Sequence, residues 1–304
     1  MKEEDWEEVD RIVGKIRDYQ VKEAADFLPS SARIQAEKAY NRISRPMVPF
    51  MASITWGLIL FILMGIMLSR EKRFPRVVAY ASAGMAWLLV GYLTLTLALR
   101  WYVSGHAPFA GSYCVMMLMA WLSALATGLL WKKFPIVLPL GFLLAGFTML
   151  MASLSGANPQ ITHLMPVLQS PLLSIHVLSM MMSYTLFGLA ALNGVMGLFV
   201  PAGRQTLRDV SLVVLYPGVF LLIFGTFLGA VWANISWGSY WAWDPKETWA
   251  LITILVYSFA LHGGSLKVFR NPTFFHIYAI LAFLSVLITY FGVNLILGGM
   301  HAYA

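Results

Sequence analysis

From Met47 onward the chain is a succession of eight apolar stretches, near 47–69, 77–99, 112–131, 134–154, 172–200, 210–233, 248–265 and 273–298. Each approaches or exceeds the about 20 residues that a helix needs to cross some 30 Å of hydrocarbon. Within a bilayer every backbone N–H and C=O must find its partner inside the protein, so isolated runs of this length fold as helices. The sequence therefore predicts an all-α polytopic membrane protein with about eight transmembrane helices over residues 47–304, preceded by a charged, partly helical extramembrane tail at 1–46. Composition agrees: only 12% of residues are charged and 59% are hydrophobic, outside the range of soluble domains.

Charge then sets an orientation. The gaps between the stretches fall alternately on two sides. One side collects Arg70, Lys72, Arg73, Arg76, Lys132, Lys133, Arg204, Arg208, Lys267 and Arg270, while the other holds only Arg100 and Lys246. By the positive-inside rule the first side is cytoplasmic. The loops 100–111 and 155–171, the loop near 232–247 and the C-terminal GGMHAYA are then extracytoplasmic. The same parity places the tail outside. The net charge of +7 resides in these loops and implies no nucleic-acid groove.

The tail carries nine Lys/Arg and ten Asp/Glu. Among them Val9, Ile12, Val13, Ile16 and Val21 recur at near-helical spacing, which predicts a short amphipathic helix broken at the FLPSS of 27–31. Its plain reading is a solvated tail, and its sharper one a docking helix for a partner protein. No signal peptide is expected, because the first long apolar run begins only near Met47. Cys114 is the single cysteine. An internal disulfide, a CxxC redox pair and a CxxCH haem-attachment site are thus all excluded.

The densest feature is residues 232–251, WANISWGSYWAWDPKETWAL, with Trp232, Trp237, Trp241, Trp243, Trp249 and Tyr240. Interfacial aromatic belts account for two or three such indoles. Asp244 and Glu247 have the look of catalytic carboxylates. Yet Asp-Pro-Lys-Glu before an apolar run is the expected helix N-terminus, with Asp244 capping, Pro245 at the first helical position and Glu247 reaching back. No catalytic residue is assigned. The methionines 116, 117, 119 and 180–182 read as packing filler.

Six histidines stand at 106, 163, 176, 262, 276 and 301. His176 opens the fifth stretch and His301 follows the eighth, both on the outer side and level with the Trp-rich loop. Two neutral imidazoles across a flat aromatic slot suit the axial positions of a haem iron, whose porphyrin faces need aromatic cover. His262 lies near the cytoplasmic end of the seventh stretch, where an ionisable group is costly and usually functional. Either His276 or a second protein is a partner for it. Against these stands the plain alternative that a membrane histidine bonds a carbonyl or lines a helix interface.

At WGSYWAWDPKETWALI the chain resembles the tryptophan-rich WWD family of haem-handling proteins in cytochrome c biogenesis. Its continuation DPKETWALI is similar to the CcsA (ResC) branch rather than to CcmC or CcmF. LQSPLLSIHV around His176, the LH at His262, YFGVNLILGGMHAYA at the end and RWYVSGHAPF from Arg100 carry the same resemblance, which spans roughly residues 95–304. One departure follows GHAPF, where AGSYCV stands at 110–115 in place of an Asn-Met-Tyr-Glu-like run.

The resemblance implies the following roles. His176 and His301 are axial ligands of an outer haem, and Trp237, Tyr240, Trp241, Trp243, Asp244 and Trp249 belong to the platform presenting it. His262 is the transmembrane histidine that ligates haem b entering from the cytoplasmic side, with a partner of the CcsB (ResB) type. That partner is a separate protein or a fused half, because this chain has no counterpart of its large extracytoplasmic domain. The implied activity is a cytochrome c haem lyase, acting with that partner on haem and a CxxCH apocytochrome c. The membrane is a bacterial inner membrane or a thylakoid-type one. The alternatives are a CcmC-like exporter that hands haem to a chaperone without ligation chemistry, and an electron-transfer haem protein. Arg100 and Lys246, scarce outer cations, are candidates for pairing with haem propionates. The resemblance itself assigns no role to His106, His163 or His276.

Overall fold

The structure is a computed structural model and describes residues 6–155, 161 and 166–297. It is helical throughout, with no strand among the described residues. In chain order the helices are α1 (Trp6–Ala24), α2 (Ser31–Ile43), α3 (Met47–Ser69), α4 (Arg76–Ser104), α5 (Ser112–Leu130), α6 (Val137–Leu154), α7 (Pro171–Phe199), α8 (Arg204–Trp237), α9 (Pro245–Leu261) and α10 (Pro272–Leu287). A π-helical segment, Ile288–Leu297, continues α10.

Among the described residues seven helices are long and apolar enough to cross a membrane, consistent with the expected eight or so. The remaining apolar stretch forms α9. At 17 residues it is about 26 Å long, just short of the hydrocarbon thickness. Yet α9 traverses the bundle as its neighbours do. Its first turn, at Lys246 and Glu247, shares a cavity with the end of α8. Its last turn leads to Gly263, which sits beside the Arg208 guanidinium at the start of α8.

Close approach between helices depends on small residues, as expected where lipid supplies no hydrophobic drive between them. The α3–α6 pair meets at Gly57 and Gly146. A Cβ on Gly57 would come within 2.9 Å of the Leu143 nitrogen, and one on Gly146 within 2.5 Å of Ile54 Cγ1. The α7–α8 pair runs antiparallel along a longer seam. Gly218 receives the Phe187 ring, Gly225 receives Met180, and Gly229 receives the His176 ring. The seam therefore ends by fixing a histidine.

The two ends of the bundle differ in charge. At one end Arg204 donates to Thr273 Oγ1 at 3.1 Å and to the Gly197 carbonyl at 2.9 Å, while Arg208 donates to the Phe269 carbonyl at 3.1 Å. Leu68, Phe74, Phe134, Val200 and Leu207 pack together there, which brings the basic loops after α3 and α5 to the same end. The opposite end holds Arg100, Lys246 and the Trp-rich loop.

The tail divides in two. In α1 every described residue is solvent-accessible, including Trp6, Val9, Ile12, Val13 and Ile16. In contrast α2 is docked beside the Trp-rich end. Ser30 caps it by accepting from the Arg33 amide. The Arg33 guanidinium donates to the Val103 carbonyl at 2.6 Å, Arg100 donates to the Tyr40 hydroxyl at 3.0 Å, and Ser44 and Tyr113 share a hydroxyl hydrogen bond of 3.0 Å. Tyr40 is fully buried. The segment expected to be a tail thus contributes one helix to the wall that supports Arg100.

Candidate functional site

A cavity of about 560 Å³ opens at the end of the bundle opposite the basic loops. That volume lies within the range of pockets that bury a ligand of some tens of atoms. Its walls come from the end of α4, the α4–α5 loop, the start of α5, the first turns of α7, the end of α8, the loop before α9 and the π-helical segment. Aromatic rings contribute from several of them: Phe109, Tyr113, Tyr184, Trp232, Tyr240, Trp241 and Tyr290.

His176 enters the cavity from the second turn of α7. Its Nδ1 lies 2.6 Å from the Gly225 carbonyl. A carbonyl only accepts, so Nδ1 carries the proton and the lone pair sits on Nε2. This is the support that metal-ligating histidines use, a second-shell carbonyl fixing tautomer and ring orientation. The ring is also clamped sterically. A Cβ on Gly229 would fall 2.7 Å from its Cε1 and 2.8 Å from Nδ1, so only glycine fits there.

The Trp-rich loop is built by its acids. Asp244 Oδ1 accepts from the Lys246 amide at 2.9 Å, and Glu247 Oε2 accepts from the Asp244 amide at 3.2 Å, closing a capping box with Pro245 in the first turn. Glu247 reaches further and accepts from the Ala242 amide at 2.8 Å. These bonds hold Trp243 at φ 56°, a left-handed conformation that costs a non-glycine residue about 1–2 kcal/mol. The acids are helix-capping groups, as expected from their spacing. Replacing Glu247 by alanine is expected to destabilise the folded chain by about 1–2 kcal/mol, through loss of the cap and of the strained turn it holds. Thermal unfolding of the detergent-solubilised variant measures this.

Of the loop residues expected to form the platform, Tyr240 and Trp241 reach the cavity. Trp243 does not line it. That ring is 70% exposed and packs edge-to-face on Trp241 at 5.8 Å. Trp237 is 50% exposed and packs in the same way on Trp232 at 6.4 Å. Trp249 lies one turn into α9 and lends its carbonyl to the Thr253 hydroxyl at 2.8 Å. Asp244, buried, is the cap described above. The indole that joins Trp241 in the cavity is instead Trp232, 2% exposed, in the last turns of α8. Its signal in the sequence was its helical register, one turn beyond Gly229.

Cations complete the cavity. Arg100 is 8% exposed, flanked by the Tyr40 and Tyr113 rings at 5.7 and 5.4 Å. Lys246 lies in the first turn of α9, ahead of the apolar stretch 248–265. Burial pushes its ammonium down to about 8, against the opposing pull of the Asp244 carboxylate. The Trp241 indole N–H and the Asn294 Oδ1 are buried with no hydrogen-bond partner among the described residues. Taken together, the walls offer aromatic faces, the imidazoles of His106 and His176, two cations and an indole N–H with no partner among the described residues. This set fits a flat, metal-containing aromatic ligand that carries carboxylates, and so fits the haem expected from the sequence.

The other histidines are distributed as follows. His106 lines the same cavity from the α4–α5 loop. His262 stands at the basic end, exposed, as the C-cap of α9, its Nδ1–H donating to the Ser258 carbonyl at 2.6 Å. His276 is fully buried, with Nε2 donating to the Arg204 carbonyl at 3.0 Å and its ring wedged against Gly197. It therefore serves the α7–α10 packing, while His262 faces outward. His163 and His301 lie outside the described residues. No cluster of three or more His, Cys, Asp or Glu side chains occurs among the described residues.

The sequence has relatives that bear on this site. Protein NrfI of Wolinella succinogenes is 38% identical over 301 residues, covering 94% of this chain and 33% of that protein. Cytochrome c biogenesis protein CcsA of Chlamydomonas reinhardtii is 36% identical over 231 residues, covering 69% of this chain and 65% of the relative. The CcsA protein of Guillardia theta is 31% identical over 270 residues, 74% of this chain and 86% of the relative. The chain thus spans a third of NrfI and just under two thirds of the C. reinhardtii protein. The family profile described as cytochrome C assembly protein matches residues 110–301, which include most of the cavity wall. With seven apolar helices of membrane-crossing length and these relatives, the chain is a multi-pass membrane protein that belongs to the cytochrome C assembly family, in its CcsA-type branch.

Proposed function

We propose that the chain is the membrane haem-handling subunit of a cytochrome c synthase, and that it presents haem b in the aromatic cavity for attachment to a CxxCH apocytochrome c. The observation that carries this reading is His176: a clamped imidazole, tautomer fixed by the Gly225 carbonyl, inside a cavity lined by indoles and phenols. His301 is the second axial ligand of the reading, and Arg100, Lys246 and the Trp241 N–H take the propionates. His262, exposed at the basic end, is the ligand for haem arriving from the cytoplasm.

In the attachment step each cysteine S–H of the CxxCH segment adds across one haem vinyl C=C. Sulfur bonds to the carbon next to the ring, the hydrogen goes to the terminal carbon, and nothing is oxidised or reduced. The addition calls for no strong base from the protein. What the cavity contributes is orientation: holding the vinyl carbons against incoming thiols is worth several kcal/mol of prepaid entropy. Axial ligation must be exchangeable, because the histidine of CxxCH replaces one protein imidazole in the product.

The basic end of the bundle is cytoplasmic in this reading, from its cluster of Arg and Lys, and the cavity and docked α2 are extracytoplasmic. The membrane is a bacterial inner membrane or a thylakoid-type one. A CcsB/ResB-like protein supplies the remaining part of the synthase.

The test is reconstitution of the chain and a CcsB-like protein with reduced haem and a CxxCH peptide. Covalent haem–peptide, resistant to acid-acetone extraction, is expected. Haem that leaves the chain only in non-covalent form would instead support a carrier that hands haem to a chaperone.

A further inference from the structure

One polar group of the cavity wall is left unmet by the haem of the proposed function. Asn294 stands in the π-helical segment, and its Oδ1 is buried with no hydrogen-bond partner among the described residues. The backbone puts it there. With 3.6 residues per turn, Thr289 and Asn294 would stand about 140° apart around an α-helix. A π-turn closes from i to i+5 instead and sets Asn294 over Thr289. Thr289, Tyr290 and Asn294 all line the cavity. The segment is also anchored: the Thr289 hydroxyl donates to the Ser285 carbonyl at 2.6 Å and lies 3.2 Å from the Thr253 hydroxyl on α9. Asn294 is thus held at the wall with an acceptor to spare.

A buried acceptor without a donor is costly, so the group that meets it matters. Haem with ionised propionates carries only acceptors there, and its pyrrole nitrogens are bound to iron. It brings no N–H or O–H to Asn294 Oδ1. The second substrate does. The two residues between the cysteines of CxxCH are unspecified, so contacts common to every such segment run through the main chain. Each main-chain unit has one N–H donor and one C=O acceptor. A carboxamide is the matching pair, with Oδ1 for the N–H and Nδ2–H for the C=O. We propose that Asn294 is a docking residue for one peptide unit of the CxxCH segment, fixing the register in which its thiols meet the haem vinyl groups. The inference rests on the synthase reading above.

The experiment uses the full chain with its CcsB-like partner and a peptide in which serines replace both cysteines, SxxSH, which binds without reacting. Isothermal titration calorimetry measures peptide affinity and a Soret titration measures haem affinity. Both are recorded for the wild type and for Asn294→Leu, which keeps the branching of the side chain and removes both amide functions. Peptide affinity is expected to fall by about tenfold in the variant, with haem affinity unchanged. The backbone nitrogens of the peptide are also methylated one at a time, a series that needs only the wild-type chain. One position is expected at which methylation weakens binding by a similar factor, because a buried group built to pair with a substrate N–H discriminates against its loss. At that position Asn294→Leu should add no further loss. Haem affinity that falls in Asn294→Leu would assign the amide to a propionate and overturn the docking role. A wild-type chain that does not bind the peptide, or that tolerates every methylation, would overturn it too. A wild-type chain that shows the expected pattern yet forms no thioether with CxxCH would overturn the synthase reading and leave the docking residue standing.

Discussion

Replacing His176 by alanine is expected to remove the haem absorbance of the purified chain, with haem affinity falling by more than about 100-fold. That figure is the upper end of what disturbing only the support of a metal ligand costs, and here the ligand itself is lost. Added imidazole is expected to restore the spectrum. The reason is geometric: the truncated side chain leaves a slot between α7 and Gly229 of the size of one imidazole ring, next to a Gly225 carbonyl ready to accept its N–H. Titrating the variant with imidazole while following the Soret band measures both effects. An alanine variant with full haem absorbance would place the ligand elsewhere.

The second large effect is expected at a residue with no polar side chain at all. In Gly229→Val the new Cβ would lie 2.7 Å from His176 Cε1, closer than unbonded carbons approach. The ring must turn out of its seat and give up the 2.6 Å bond to Gly225, or α7 and α8 must separate. The first route is the cheaper, because overpacking a well-filled interface costs about 1–3 kcal/mol. Haem affinity is expected to fall by about 10–100-fold, as when a ligand's orienting partner is removed. Imidazole should rescue this variant poorly, since valine fills part of the slot and the displaced His176 ring still occupies the cavity. The contrast between the two variants separates a missing ligand from a misplaced one. Equal rescue of both would mean that Gly229 does not position the ring.

These two sites also show what a sequence of this kind discloses. The spans were legible because a bilayer imposes a length, and runs such as 47–69 or 134–154 have no other fold available. The capping role of Asp244 and Glu247 was legible from local spacing, since a capping box depends on four consecutive residues. His176 was legible as a candidate from its place at a span end. Which indoles face the cavity was not. Trp237, Trp241 and Trp243 lie within seven residues of one another, but Gly238 ends α8 in a left-handed turn and Trp243 takes φ 56°. Each such turn re-aims the following side chain, so a count of aromatics cannot say that Trp241 turns inward while Trp237 and Trp243 turn out. Tertiary packing alone brings Trp232, Arg100 and the π-helical residues Tyr290 and Asn294 to one cavity.

The docking of α2 was hidden for a related reason. The composition of the first 46 residues resembles that of a solvated tail. Tyr40 nonetheless buries itself fully against α4 and its hydroxyl meets Arg100, a contact 60 positions away that no local pattern announces. The sequence signalled helical periodicity in this region and was silent on which helix would find a partner. In the fold, α1 is left exposed and α2 becomes part of the wall behind the cavity.

The proposed function stands on one bond, between haem iron and the imidazole on α7. A cryo-electron microscopy map of the haem-loaded chain with its CcsB-like partner measures this directly. The prediction is density for a porphyrin in the cavity between Trp232, Trp241 and the α4–α5 loop, with iron bonded to His176 Nε2 and the His176 Nδ1–H still on the Gly225 carbonyl. Porphyrin density elsewhere in the bundle, with His176 unligated, would contradict it.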